Sequence, residues 1–360
     1  MMKSKICLVT GGAGFIGCAI SKQLADRFER VVAVDNLHPQ IHARSERPTA
    51  LDGRVELLVK DITNPEHWSE ILGFVQPEIV VHLAAETGTG QSLTESTRHA
   101  AVNVVGTTVM LDALSQRQLF PQAILLTSSR AVYGEGAWRQ PDGEGIAYPG
   151  QRTRAQLERG EWDFPGLEPM PFAAGVTEPR PTSVYGATKL AQENVLSAWC
   201  LSFDVKPIIL RLQNVFGPGQ SLINPYTGIV SLFCRLAREG KSIPVYEDGA
   251  IVRDFVLIDD VAAAINVALG RVDQLPSGAA PFDIGSGEPA TIAEVADWIS
   301  RRYGAPEPHV NGAFRYGDVR HAACTIDRTI SELGWKPAWS LDQGLEALVS
   351  WIELQLAAKQ

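Results

Sequence analysis

The sequence predicts an α/β fold, in which helices cover both faces of a parallel sheet, followed by a smaller α+β region. From the N-terminal end to Leu212, short runs of Val, Ile and Leu without polar alternation are separated by longer helix-like stretches. This rhythm is typical of strands buried on both faces of a doubly wound sheet. A glycine-rich turn follows the first apolar run, and the alternation loosens after Gly217.

The predicted strands are runs in which successive residues, not alternate ones, are apolar. Such a pattern is expected when both faces of a strand are buried. In the main sheet these runs are Lys5–Thr10, Arg30–Asp35, Val55–Val59, Glu78–Leu83, Ala123–Ser128 and Pro207–Leu212. Two shorter strand patterns follow at Arg253–Ile258 and Pro281–Ile284.

The predicted helices lie between these runs and dominate the C-terminal part. Thr291 and Glu294 form a T-x-x-E capping box, which indicates that one helix begins at Ile292. The predicted helices include Phe15–Phe28, Ala100–Arg117, Val184–Phe203, Tyr226–Arg238, Asp260–Leu269, Ile292–Tyr303 and Leu341–Leu356.

The alternation of strand and helix patterns is regular in the first part of the chain and irregular in the second, which indicates two domains. We expect residues 1–215 to form a nucleotide-binding domain and residues 216–360 a substrate-binding domain, with some segments of the second part returning to the main sheet. The segment 134–181 is rich in Gly, Pro and charged residues and is long for a connection within a compact domain. It is either a lid near a site or a surface excursion.

Composition excludes several classes of protein. With 360 residues, 45% of them apolar, and a net charge of -9, the chain can bury a large core and lacks the basic footprint of a sequence-independent nucleic-acid binder. The five cysteines and seven histidines are dispersed, which favours free thiols and no metal site. The sequence shows no signal peptide and no membrane span, so we expect a cytoplasmic protein.

The glycine-rich turn Thr10–Gly17 indicates a dinucleotide site. Gly11 permits a tight turn, Gly14 lets the backbone approach a pyrophosphate, and Gly17 allows the helix and strand to pack closely. Asp35 ends the second strand, where a carboxylate accepts hydrogen bonds from the ribose hydroxyls and repels a 2′-phosphate, which favours NAD over NADP.

The Gly-x-x-Gly-x-x-Gly spacing resembles the extended short-chain dehydrogenase/reductases, and specifically their nucleotide-sugar epimerases and dehydratases. The resemblance covers nearly the whole chain and extends to His82–Ala85, Asn103–Thr107, Ser128–Gly134, Tyr185–Lys189 and Arg211–Pro218. It implies a Rossmann-type fold, bound NAD and a homodimer formed through paired helices. The cofactor-binding residues expected from the turn and the resemblance are Gly11, Gly14, Phe15, Ile16, Gly17, Asp35, Asn36, Asp61, Ile62, Leu83, Ala84, Ala85, Asn103, Tyr185 and Lys189, with Asn103 supporting the active-site backbone.

Tyr185 and Lys189 are the candidate catalytic residues, together with Ser129. Residues four apart lie on one face of a helix, and an ammonium near a phenol favours the phenolate. Such a tyrosine can take a proton from a sugar hydroxyl while NAD oxidises the carbon. The resemblance implies that Lys189 also holds the nicotinamide ribose and that Ser129 hydrogen-bonds the reacting hydroxyl.

The two residues after Ser129 separate the possible reactions. The 4,6-dehydratases of the family have Asp-Glu there, and Arg130 with Ala131 cannot supply that acid and base. Arg130 also differs from the small residues common at this position in the epimerases. Its role is open between contact with the substrate and an ion pair with another residue.

The substrate implied by the resemblance is a nucleoside diphosphate sugar. Its diphosphate needs local positive charge in an acidic protein, and the planar fork of arginine suits phosphate oxygens. By resemblance, Asn214, Arg253 and Arg315 hold the diphosphate and Asp318 holds the nucleotide ribose.

We therefore expect an NAD-dependent nucleotide-sugar 4-epimerase that oxidises C4 transiently and returns the hydrogen to the opposite face. The motifs around Ser129 and Gly217 resemble bacterial deoxysugar 4-epimerases, such as those acting on dTDP-L-rhamnose. The alternatives are a 4-ketoreductase or sugar dehydrogenase, and a UDP-hexose 4-epimerase. A 4,6-dehydratase and a non-catalytic NAD-binding sensor are disfavoured.

Overall fold

The computed structural model describes residues 5–357, apart from residues 43–44, 142, 144, 222–227, 277 and 279. Its strands are β1 (Ile6–Thr10), β2 (Arg30–Asp35), β3 (Glu56–Val59), β4 (Ile79–His82), β5 (Ala123–Ser129), β6 (Trp138–Arg139), β7 (Ile146–Ala147), β8 (Glu168–Pro169), β9 (Lys206–Leu212), β10 (Asn214–Phe216), β11 (Pro244–Val245), β12 (Val252–Leu257), β13 (Phe282–Ile284), β14 (Pro289–Thr291), β15 (His309–Val310) and β16 (His321–Ala322).

The α-helices are α1 (Phe15–Arg27), α2 (Pro65–Phe74), α3 (Ser96–Ala100), α4 (Gly106–Gln116), α5 (Arg154–Glu158), α6 (Val184–Ser202), α7 (Ile229–Arg238), α8 (Ile258–Gly270), α9 (Ile292–Tyr303) and α10 (Leu341–Ala357). Tighter or wider helical turns lie at Gln91–Leu93, Ala101–Val105, Arg130–Tyr133, Val272–Gln274 and Thr329–Leu333. Among the described residues, no helix combines the length and the apolar character needed to cross a bilayer.

The main sheet confirms the predicted doubly wound α/β fold. Within the described residues it has seven parallel strands, in the order β13–β9–β5–β4–β1–β2–β3. The chain runs from β1 through β2 to β3 on one side and through β4 to β5 on the other. Ligands of such sheets bind where the strand order reverses, beyond the carboxyl ends of the strands. The ends of β1 and β4 are therefore where a site is expected.

Two apolar layers enclose this sheet. Helices α1 and α8 cover one face with buried residues such as Leu24 and Ile265. Helices α2, α4 and α6 cover the other face with residues such as Trp68, Met110 and Leu196. Burying a side chain of this size contributes roughly 1.5–3 kcal/mol, so these layers fix the strands that carry the site.

The C-terminal part adds a small sheet in which β12 lies between β10 and β14 and also pairs with β16. Helices α7, α9 and α10 pack around it. The predicted capping box is present: the Thr291 hydroxyl accepts the Glu294 N–H, and the Glu294 carboxylate accepts the Thr291 N–H. The start of the predicted helix Tyr226–Arg238 falls partly outside the described residues, and the described helix begins at Ile229.

The predicted helix Ala100–Arg117 is present, within a helical stretch from Ser96 to Gln116 that is not regular throughout. Helix α3 and helix α4 are joined by a wide π-helical turn over Ala101–Val105. The buried Asn103 lies in this turn and directs its amide to the backbone of Glu86. Such turns occur where a side chain must leave the regular helical register, often near functional sites.

The segment 134–181 contains the antiparallel sheet β7–β6–β8 and is fixed to the C-terminal part. Phe172 donates its N–H to Ala323 and accepts the N–H of Thr325, both at 2.8 Å. The buried Arg152 forms an ion pair with Glu247 at 2.8 Å. The segment is therefore attached to the C-terminal part by backbone hydrogen bonds and by an ion pair.

Candidate active site

A cavity of about 910 Å³ lies beyond the carboxyl ends of β1 and β4. This volume is within the usual range for small-molecule and cofactor sites. Besides Ser129, the sequence-predicted residues that line it are Gly11, Gly14, Phe15, Ile16, Gly17, Asp35, Asn36, Asp61, Ile62, Leu83, Ala84, Ala85, Tyr185 and Lys189.

The glycine turn leaves room for a dinucleotide. Gly11 has a φ of 65°, and a Cβ there would lie 2.7 Å from the Ala84 nitrogen. A Cβ on Gly17 would lie 2.4 Å from the Gly12 oxygen, so close packing requires glycine there too. At Gly14 a Cβ would meet a single neighbour within 4 Å, the Gly11 oxygen at 3.2 Å. The glycine turn is therefore tightly packed at Gly11 and Gly17 and has space at Gly14, which fits a pyrophosphate at the start of α1.

Asp35 is held at the wall of the cavity. Its carboxylate accepts the N–H of Ala13 at 3.1 Å and the N–H of Leu37 at 2.9 Å. The carboxylate is therefore oriented before any ligand binds, and its remaining lone pairs suit ribose hydroxyls. Asp61 is fixed similarly, because it accepts hydrogen bonds from Thr63 and from the Asn36 amide.

Tyr185 and Lys189 lie in the first turns of α6, which Ser183 caps by accepting the Gly186 N–H. Burial raises the pKa of the Tyr185 phenol, while a hydrogen bond with Ser129 and the charge of Arg130 oppose this change. The Lys189 ammonium donates to the Thr127 carbonyl at 2.8 Å and to Gln192 Oε1. Burial lowers the pKa of Lys189 to about 7.

Gln192 is a site residue that is not among those predicted from the sequence. It receives the Lys189 ammonium through Oε1, and its Nε2 donates to Thr107 Oγ1 at 2.8 Å, which sets the orientation of the amide. Nε2 also lies 3.1 Å from the ring of His82, whose pKa burial lowers to about 3. The available signal is the i,i+3 spacing of Lys189 and Gln192 on one helix face.

Asn103 does not line the cavity, contrary to its placement among the predicted cofactor contacts. It is fully buried. Its side-chain amide accepts the Glu86 N–H at 2.8 Å and donates to the Glu86 carbonyl at 3.0 Å. It also donates to Thr188 Oγ1 at 3.0 Å. Asn103 thereby ties the chain after β4 to the helix that carries Tyr185.

The predicted substrate residues form a second cluster next to Tyr185. Arg130 Nε donates to Asn214 Oδ1 at 2.7 Å, and Arg253 Nη2 donates to Asp318 Oδ1 at 2.5 Å. Burial raises the pKa of Asp318, but Arg253, Arg130 and Arg315 outweigh it, and the pKa lies below its ordinary value. The structure thus brings all five residues together, with three guanidinium groups around one carboxylate.

Arg152 and Gln213 are further residues that sequence reasoning misses. The buried Arg152 donates to the Asp318 carbonyl at 3.0 Å, which links the segment 134–181 to the substrate cluster. Gln213 lines the cavity, and its amide has no hydrogen-bond partner among the described residues. No local pattern marks either residue, because their neighbours are distant in sequence.

Comparison with known proteins assigns the family. The sequence pattern of the NAD dependent epimerase/dehydratase family matches residues 7–154 and 164–285. The chain belongs to this family. NAD is its cofactor, in agreement with the glycine turn and with Asp35.

Individual relatives agree with the family. The dTDP-L-rhamnose 4-epimerase of Burkholderia thailandensis is 60% identical over 359 residues, covering 100% of this chain and 98% of that protein. UDP-glucose 4-epimerase of Thermotoga maritima, solved with UDP-glucose, is 27% identical with a TM-score of 0.78, covering 98% of this chain and 99% of that one. The Thermus thermophilus UDP-glucose 4-epimerase complex with NAD is also 27% identical, with a TM-score of 0.76 and coverage of 97% and 99%.

Proposed function

We propose that this family member is an NAD-dependent nucleotide-sugar 4-epimerase whose substrate is dTDP-L-rhamnose. The observation that carries the substrate is the 60% identity to a dTDP-L-rhamnose 4-epimerase over the whole chain. The UDP-glucose 4-epimerases, at 27% identity, share the fold and cofactor but are much more distant. Arg130 and Ala131 stand where a dehydratase needs its acid and base, which is consistent with epimerisation.

In the proposed mechanism Tyr185 is the base and later the acid. Its phenolate takes the proton of the C4 hydroxyl, and Ser129 holds that oxygen. The chemistry that bound NAD supplies is reversible two-electron oxidation at C4. The 4-keto sugar then turns over, and Tyr185 returns the proton to the oxygen on the other face.

The remaining residues bind and orient. We propose that Lys189 holds the nicotinamide ribose with the donor that is not used by Thr127 and Gln192. Asn214, Arg253, Arg315 and Arg130 bind the diphosphate, and Asp318 binds the nucleotide ribose. The excess of guanidinium over carboxylate in this cluster suits the charge of a diphosphate.

We also propose the broader arrangement. Residues 1–215 act as the cofactor domain and residues 216–360 as the nucleotide-sugar domain, with β13 returned to the edge of the main sheet. Two copies pair through α6 and through α4 with the π-helical turn before it. The half-exposed Val105 of that turn and Leu201 of α6 support a covered helix face there. Sedimentation of the purified chain tests the proposed dimer. We further propose that the protein works in the cytoplasm.

The test of the function is a substrate panel with matched variants. Without added cofactor, the purified protein should convert dTDP-L-rhamnose to its C4 epimer faster than it converts UDP-glucose. Tyr185→Phe should lose about 10²–10⁴-fold in rate while it retains NAD. Tyr303→Phe is the control, because Tyr303 ends helix α9 outside the residues that line the cavity and donates its hydroxyl to Glu353 of α10. Full activity in Tyr185→Phe, or a requirement for added cofactor, would reject the proposal.

A further inference from the structure

Arg152 is the centre of a buried charged cluster that joins the segment 134–181 to the C-terminal part. Its side chain is 1% exposed. Nη1 donates to Glu247 Oε2 at 2.8 Å and to the Trp162 carbonyl at 3.1 Å, and Nη2 donates to the Asp318 carbonyl at 3.0 Å. Both terminal nitrogens are therefore fixed, and one of them holds the backbone of Asp318.

The chain that contains Asp318 is held at a second point from the same segment. Glu135 is buried, and its Oε2 accepts the Arg320 N–H at 2.9 Å. The stretch from Asp318 to Arg320 is thus held at both ends. Arg152 binds the carbonyl at its start, and Glu135 binds the amide at its end.

The side chain of Asp318 is held on one oxygen only. Its Oδ1 accepts Arg253 Nη2 at 2.5 Å and the Val319 N–H at 3.0 Å. Among the described residues, no hydrogen bond reaches its Oδ2, and the side chain is 31% exposed. One oxygen is therefore oriented by the protein, and the other is available to a ligand.

Stability alone does not account for the cluster around Arg152. Within the part of the chain that the structure describes, three of its buried atoms have no hydrogen-bond partner: Arg152 Nε, Glu135 Oε1 and Glu247 Oε1. Arg152 Nε and Glu135 Oε1 lie 3.4 Å apart without forming a hydrogen bond. A buried polar atom without a partner is destabilising, and buried ion pairs often add no more stability than apolar residues of the same size. The contacts with the stretch 318–320 supply another reason for burying these charges.

We propose that Arg152 is a positioning residue that holds the Asp318 carboxylate where it binds the ribose of the nucleotide sugar. This inference rests on the proposed function. Arg152 acts through the backbone of Asp318, because its own charged atoms are buried. A hydrogen bond weakens steeply as its distance and angle depart from their best values, so a displaced carboxylate binds the ribose less well. The segment 134–181 is then a fixed support of the substrate site and not a lid.

The test measures nucleotide binding, which does not depend on turnover. Arg152→Met removes the donors and keeps a long side chain, and Arg152→Lys keeps the positive charge. Arg159→Met is the control, because Arg159 is exposed on the same segment and pairs with Glu161. For each purified, NAD-loaded protein, calorimetry gives the Kd of dTDP and of UDP. The bound NAD per chain, and kcat and KM for dTDP-L-rhamnose, are measured beside it.

Arg152→Met should raise the Kd of dTDP about tenfold, a typical loss when a hydrogen bond to a charged group is misplaced. KM for dTDP-L-rhamnose should rise by a similar factor, while kcat and the bound NAD stay near the wild-type values, because Tyr185 and the glycine turn are untouched. Arg152→Lys should give a smaller rise, since an ammonium lacks the planar fork that reaches several acceptors at once. It carries the test if Arg152→Met does not fold. Arg159→Met should match the wild type.

A double-mutant cycle with Asp318→Asn shows whether Arg152 acts through Asp318. Asp318→Asn alone should weaken the binding of dTDP. In the Arg152→Met protein the same substitution should add little, because the carboxylate is already displaced. Fully additive effects would overturn the inference.

Two other results would also overturn it. One is an unchanged affinity for dTDP and UDP in the Arg152 variants. The other is an equal loss of bound NAD and of dTDP affinity, which would mean that Arg152 supports the fold as a whole. If the wild type binds dTDP but does not epimerise dTDP-L-rhamnose, the proposed function fails, and a weakened binding of dTDP in Arg152→Met still supports the role of Arg152. A wild type that binds neither nucleotide would overturn both.

Discussion

Lys189 should make the stability of the protein depend on pH in a defined direction. The residue is 2% exposed, and burial lowers its pKa from 10.5 to about 7. Between these two pH values Lys189 binds one more proton in the unfolded chain than in the folded protein. The contribution of Lys189 to the free energy of unfolding must therefore rise with pH across this window.

The size of the effect follows from the two pKa values. Their difference of about 3.5, at about 1.36 kcal/mol for each pKa unit, corresponds to about 5 kcal/mol over the window. Lys189→Met removes the titrating group. It also leaves the Thr127 carbonyl and Gln192 Oε1 without their donor, but this cost is independent of pH. The difference in unfolding free energy between wild type and variant should thus grow by up to about 1.4 kcal/mol per pH unit.

Urea unfolding of both proteins between about pH 7 and about pH 10 measures this difference, because other titrating groups are common to both. Lys241→Met is the control, since the exposed Lys241 pairs with Glu239 at the surface. Parallel stability curves for the wild type and Lys189→Met would contradict the lowered pKa of Lys189. They would mean that Lys189 titrates in the folded protein as it does in water.

Three further substitutions test other parts of the site. Asp35→Asn should weaken NAD binding about tenfold or more and narrow the preference for NAD over NADP, because hydrogen bonds to a charged acceptor contribute about 1.5–3 kcal/mol. Calorimetric titration with both nucleotides measures the two affinities. An unchanged preference for NAD would contradict the role of Asp35. Asn103→Leu leaves both backbone groups of Glu86 unpaired and should destabilise the fold by about 1–3 kcal/mol for each group in urea unfolding; wild-type stability would exclude the bracing role. Glu193→Gln leaves the buried Arg211 without the carboxylate of its ion pair and should lower the free energy of unfolding in urea by about 3–5 kcal/mol. Asp297→Asn, at the exposed ion pair with Arg301, is the control and should change it little. Equal effects of the two substitutions would show that burial of the Glu193–Arg211 pair does not matter for stability.

The sequence predicts the parts of the fold and site that depend on local spacing. The run Arg30–Asp35 and the helix Ile292–Tyr303 have the predicted bounds, because the first is apolar from Val31 to Val34 between two charged residues and the second carries its own capping box. The glycine turn and the Tyr185–Lys189 pair are likewise local patterns, and the structure places both at the same cavity. The strand predicted at Pro281–Ile284 is present at Phe282–Ile284, where it pairs with β9 at the edge of the main sheet.

The parts that sequence reasoning misses depend on distant partners or on short elements. Helix α2 is not among the predicted helices, although Asn64 and Pro65 form a helix start whose cap the structure contains. The two-residue strands β6, β7 and β8 are too short for a periodic signal. Arg152 reaches Glu247 across 95 positions, and Gln192 has a role only because folding brings the Thr107 hydroxyl to its amide.

Incubation of the purified protein with dTDP-L-rhamnose in heavy water, without added cofactor and followed by NMR of the products, tests transient oxidation at C4. We expect the C4 epimer with no deuterium at C4, C3 or C5, because the hydrogen taken from C4 is the one returned. Deuterium at C3 or C5 would indicate enolisation or elimination and would contradict transient oxidation at C4. No epimer at all from dTDP-L-rhamnose would contradict the proposed substrate.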